Sequence, residues 1–231
     1  MNSNTSVVAA VAALLLFVPF AVRLPAQAKP ETYPHMVPVD RYLMPRADEI
    51  ALARSAAPPS VSDHATVLVL TRQGYVSAAK GTNGFVCLVE RSWDSPFHAS
   101  TFWNPRIRGA NCMNPPAARS VLPLLLLRSQ LALARRTQAG ILQGLQAARA
   151  AHRLPKLEPN AVSYMLSKRS FLTDAGGNLA HVMFYVPAVA PEEWGAGLPG
   201  SPISLAGSFD VVPIDVFIVA TGQWSDGTPA L

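Results

Sequence analysis

Five histidines, at 35, 64, 98, 152 and 181, and two cysteines, at 87 and 112, carry the most reactive side chains in this 231-residue sequence. The histidines are scattered, and none has the partner four positions away that places two imidazoles on one helix face over zinc. The cysteines lack the CxxC spacing of zinc sites. No metal and no other cofactor is expected. His181 stands apart, because it opens the apolar run His181-Val182-Met183-Phe184-Tyr185-Val186 beside a glycine-rich loop containing Asp174. An imidazole oriented by a carboxylate is a general base, so His181, Asp174 and a nearby serine (Ser163, then Ser167 or Ser170) make a candidate hydrolase. Against it stands the absence of a Gly-x-Ser-x-Gly elbow; a strand-end histidine bonded to backbone is the simpler reading. Gly176-Gly177 and the glycines of 195–200 lack the strand-loop-helix setting and the Lys-Ser/Thr pair of a phosphate loop, and read as turns.

The two cysteines take their meaning from the N-terminus. Residues 7–22 form an unbroken apolar run, followed by Arg23 and by Ala26-Gln27-Ala28. The run is short for a bilayer span of roughly 20 residues, and small residues at alternate positions suit signal peptidase. Residues 1–28 are therefore expected to be a cleaved signal. The leader lacks Lys and Arg before its apolar run, which keeps an uncleaved membrane anchor as the alternative. An exported chain with two cysteines implies one disulfide, Cys87 to Cys112, in an oxidising compartment such as the periplasm or the extracellular space. The remaining chain carries 18 Lys and Arg against 14 Asp and Glu, dispersed along the sequence. That dispersal argues against nucleic acid, whose partners concentrate basic charge on one face.

The rings Trp93, Phe97, Phe102 and Trp103 fall in a proline- and asparagine-rich stretch between the cysteines. Aromatic rings line ligand pockets, which makes Trp93, Phe102 and Trp103, with His181, candidate binding residues; they equally suit a satellite core beneath a stapled loop.

The elements that must position these groups read as follows. Residues 29–46 hold four prolines and form an extended lead-in. Asp48 is a candidate N-cap for a short helix over 49–56, stopped by Pro58-Pro59. Strand-like runs at 66–70, 75–79 and 85–90, separated by turn signals that include Asn83-Gly84, predict an antiparallel meander. Residues 121–150 predict an αα-hairpin with Thr137 as the second N-cap, or one long helix bent near residues 135–140. Runs at 161–167, 181–186 and 211–220 predict further strands, the last covered on both sides.

Several of these segments resemble an uncharacterised family of exported bacterial proteins: Glu49-Ile50-Ala51-Leu52-Ala53-Arg54-Ser55-Ala56-Ala57-Pro58, Gly81-Thr82-Asn83-Gly84-Phe85-Val86-Cys87-Leu88-Val89, Ala161-Val162-Ser163-Tyr164-Met165-Leu166-Ser167, His181-Val182-Met183-Phe184-Tyr185 and Trp224-Ser225-Asp226-Gly227-Thr228. The resemblance implies export and no particular activity. The family's loop before the His181 segment often holds further histidines where this chain has Asn178 and Leu179, which speaks against a metal role here. Residues 47–231 are thus expected to form one α+β domain, an antiparallel sheet packed against an αα-hairpin and pinned by one disulfide. Its expected role is a non-catalytic binding or structural module for a small molecule or envelope component. A membrane is a partner only if the leader is uncleaved.

Overall fold

The computed structural model describes residues 33–174 and 178–230; the predicted signal segment and loop residues 175–177 lie outside them. The described chain is an α+β fold belonging to one compact unit, Glu31–Leu231. Eight strands form a single sheet: β1 (Thr66–Thr71), β2 (Gly74–Ala79), β3 (Val86–Glu90), β4 (Gly109–Met113), β5 (Val162–Met165), β6 (His181–Pro187), β7 (Ile203–Ser208) and β8 (Ile214–Ala220). Their order is β2-β1-β3-β4-β5-β6-β8-β7, and every pairing is antiparallel except β1 with β3.

That parallel pair corrects the predicted meander. Burial explains it: Cys87, Leu88 and Val89 are all buried, so β3 has two apolar faces and belongs inside a sheet, whereas β2 exposes Val76 and Ser77 and suits an edge. The segment after β2 crosses the start of β1 instead of turning back. Gly81 passes so close that a Cβ there would lie 2.2 Å from the Thr66 amide nitrogen. Thr82 N–H donates to the His64 carbonyl (2.8 Å) and Thr66 N–H to the Phe85 carbonyl (2.9 Å). In the Asn83-Gly84 pair only Gly84 takes a positive φ, 76°; Asn83 instead accepts from Phe85 N–H (3.0 Å) and donates to the Val61 carbonyl (2.8 Å).

Successive β3 residues point to opposite faces, and each face has its own cover. Cys87 and Val89 share a cluster with Leu52 and Ala53 of α1 (Arg46–Arg54). Leu88 shares another with Ala117 of α3 (Pro115–Ser120) and Leu122 and Leu125 of α4 (Leu122–Leu133). Helix α1 begins three residues before the predicted start, after Pro45 and without a side-chain cap. A single turn, α2 (Pro59–Ser62), follows it. Asn114 caps α3, accepting from Ala117 N–H (3.0 Å). As predicted, Thr137 caps α5 (Gln138–Ala150), accepting from Gly140 N–H (3.1 Å). Ile141 and Leu145 of α5 join Leu124 and Ala132 of α4 in a third cluster with Tyr42, Trp93, Phe102 and Trp103. Tyr42, from the proline-rich stretch, is fully buried, and its hydroxyl donates to the Trp103 carbonyl (2.7 Å).

Cys87 and Cys112 are joined by a disulfide across the β3–β4 pair, with Cα atoms 3.9 Å apart. The bond ties the feet of the loop that carries the four aromatic rings. Among the described residues no helix is long and apolar enough to cross a membrane.

Candidate functional site

Glu90 is the last residue of β3 and lies on the Leu88 face. The chain then folds into a 3-10 turn, Ser92–Asp94, closed when Asp94 Oδ2 accepts from Arg91 N–H (3.1 Å). That turn brings Asp94 back beside Glu90. The two carboxylates border two cavities. The larger, about 230 Å³, lies between α4 and the C-terminal strands and is walled by Leu125, Met183, Phe209 and Val216. Arg128, Tyr185, Ser208 and Asp210 supply its other polar groups. The smaller, about 190 Å³, is also lined by Ile107 and Leu172.

Both carboxyls are pushed toward their neutral form. Burial, then the charge of Asp94, raises Glu90 from 4.5 to about 8, against a lowering hydrogen bond from Asn111. Burial raises Asp94 from 3.8 to about 6, against the pull of Arg128 and the Arg91 amide. Asn111 Nδ2 donates to Glu90 Oε1 (2.6 Å). Burial lowers the Arg128 pKa, while Asp94, Asp210 and Glu90 hold it up. The Arg128 guanidinium stacks 4.2 Å over Phe97 and 5.4 Å over Phe102, and Nη2 donates to the Ser95 carbonyl. Asp94 Oδ1 and Arg128 Nε are buried and meet no hydrogen-bond partner among the described residues. Burial also raises the Tyr185 phenol, whose oxygen lies 3.0 Å from Ser163 Oγ. Two half-buried carboxyls on one cavity can exchange a proton or neutralise a cation. Among the described residues no group of three or more His, Cys, Asp and Glu could hold a metal ion.

The groups singled out from sequence are placed elsewhere. His181 is buried, its Nδ1 lies 2.6 Å from the Leu179 carbonyl oxygen, and burial lowers its pKa. Asp174 accepts from Asn104 Nδ2 (2.8 Å) and pairs with Arg106 (3.4 Å). Ser163 is engaged with Tyr185, Ser167 with Ser55 (2.6 Å), and Ser170 accepts from Ala110 N–H (3.1 Å). No hydrogen bond among the described residues joins His181 to Asp174 or to any of these serines. Trp93 is buried in the core and donates from Nε1 to Ser129 Oγ (2.9 Å). Phe102 sits between Phe97 and Trp103, at 5.3 and 4.7 Å between ring centroids. Trp103 lines a cavity of about 570 Å³ shared with His35, Arg135 and Arg136.

Sequence reasoning missed Glu90, Asp94 and Arg128. The usable signal was two acids flanking Arg91-Ser92-Trp93 at the end of a doubly apolar strand, where charges are forced under the protein's cover. No known protein family, curated protein or solved structure matches the chain.

Proposed function

We propose that the chain is an exported, non-catalytic α+β binding module whose cavity at Glu90 and Asp94 takes a small apolar molecule bearing an ammonium or amidinium group. The observation that carries this reading is that two carboxyls, both held toward their neutral form by burial, line one cavity. A ligand cation relieves both at once, since an opposite charge within a few ångströms favours the ionised form. Three acids, Glu90, Asp94 and Asp210, face a single lining cation, Arg128, whose charge is already spread over two rings and a carbonyl. Leu125, Met183 and Val216 supply the apolar contact. In this reading α4 and α5 form a hairpin, and its first limb roofs the cavity. Export rests on the leader pattern of residues 1–28 and on the disulfide, a bond that persists outside reducing compartments. A hydrolase built on His181 has no geometric support, because the hydrogen bonds of His181, Asp174 and Ser163 go to other partners.

Calorimetry with phenethylamine, 2-phenylethanol and 3-phenylpropionate tests the proposal. The amine should bind and release protons, seen as a heat that changes with the buffer's ionisation enthalpy, and Glu90→Gln with Asp94→Asn should weaken it about tenfold or more. Equal binding of amine and alcohol, or preference for the carboxylate, overturns it.

A further inference from the structure

A separate cavity of about 420 Å³ lies where the segment after α5 passes the start of β8. Leu154, Leu157, Val212 and Ile214 form its floor and run into the hydrophobic clusters beneath. Pro155, Pro187 and Pro213 contribute walls with no N–H to offer. The charged groups on its lining are Arg149, His152 and Lys156, all cationic or able to become so, and no Asp or Glu lines it. None of the three forms an ion pair among the described residues. The acids nearest in sequence are held elsewhere: Glu158 by Arg119 (2.7 Å), and Asp215 by Ser208 Oγ (2.5 Å) and Val189 N–H (3.0 Å).

Helix polarity accounts for part of this. Cations are favoured at a helix C-terminus, which covers Arg149 and His152. It does not cover Lys156, which lies beyond Pro155, and it does not put an apolar cavity beneath the three charges. His152 also holds a left-handed backbone, φ 52°, that glycine adopts more readily. An apolar floor with unpaired cations on the lining complements a molecule with an apolar tail and one anionic end, and the volume falls in the range of small-ligand pockets.

We propose that this cavity binds a single-chain anionic amphiphile, a fatty-acid-like carboxylate whose tail lies on Leu154, Leu157, Val212 and Ile214 and whose head group is held by Arg149, His152 and Lys156. The site is independent of the carboxylate pair at Glu90 and can be tested separately. The probes are dodecanoate below its micelle concentration, dodecanol, dodecylammonium and acetate, titrated calorimetrically into the protein. Dodecanoate should bind saturably. Arg149→Gln/Lys156→Gln should weaken it about tenfold or more, and His152→Gly should weaken it less while suiting the backbone. Glu90→Gln should leave it unchanged. Circular dichroism of the unliganded variants separates lost binding from lost folding. The proposal is overturned if dodecanoate does not bind, if dodecanol or dodecylammonium binds as tightly, if acetate alone does, or if the folded double variant binds like the parent.

Discussion

Burial of the Glu90 and Asp94 carboxyls fixes the sign of a pH effect that needs no ligand. Glu90 rises from 4.5 to about 8 and Asp94 from 3.8 to about 6, so the folded protein holds these protons more tightly than the unfolded chain. Their stabilising contribution is fully present below the unfolded values. It is lost as the pH climbs through about 6 for Asp94 and about 8 for Glu90. His181 acts in the opposite sense: burial depresses its pKa below 6.5, so its contribution is present above that value and fades below it. Between pH 7 and about 8.5, then, the His181 contribution is nearly flat and Asp94 is largely ionised, leaving Glu90 to be titrated. One group taken through its folded pKa changes stability by at most about 1.4 kcal/mol per pH unit. Urea unfolding at the two ends of that window should therefore show the parent losing about 1 to 2 kcal/mol. Glu90→Gln keeps an acceptor for Asn111 but cannot ionise, and its stability should stay level. A parent midpoint that holds or rises with pH, or a Gln variant that falls in parallel, refutes the argument.

Three further outcomes follow from the packing. Replacing Cys87 and Cys112 by alanine opens a loop with sequence separation 25 and should cost about 3 to 4 kcal/mol, read as a lower denaturant midpoint. Gly81→Ala sets a Cβ 2.2 Å from backbone that cannot yield, so a loss of about 3 kcal/mol or more is expected. Gly222→Ala, with nothing within 4 Å, should be silent by the same measurement. Arg91 Nη2 donates to Glu49 Oε1 (2.8 Å) with both side chains buried, so Arg91→Met strands a buried carboxylate and should cost about 3 to 5 kcal/mol. Glu49→Gln added to it should recover part of that loss, and additive damage in the double variant would show that the ion pair is not the unit that matters.

Local chemistry was legible wherever it is local. Thr137 marks a helix start because a threonine oxygen reaches an amide three residues on. The runs that became β1, β2, β3, β5, β6 and β8 were legible from β-branched and apolar residues, and two cysteines leave one intramolecular pairing. What escaped was decided at a distance. Strand β4 reads Gly109-Ala110-Asn111-Cys112-Met113, poor in strand formers, and becomes a strand because all five residues are buried between β3 and β5. Whether β3 lies beside β2 or beyond β1 depends on which strand can stand two apolar neighbours, a comparison no single segment contains. The acid pair is half local: the turn after β3 returns Asp94 to Glu90, but only α4 and the C-terminal strands, far along the chain, close a low-dielectric space around both. Burial raises their pKa values, and burial belongs to the assembled fold.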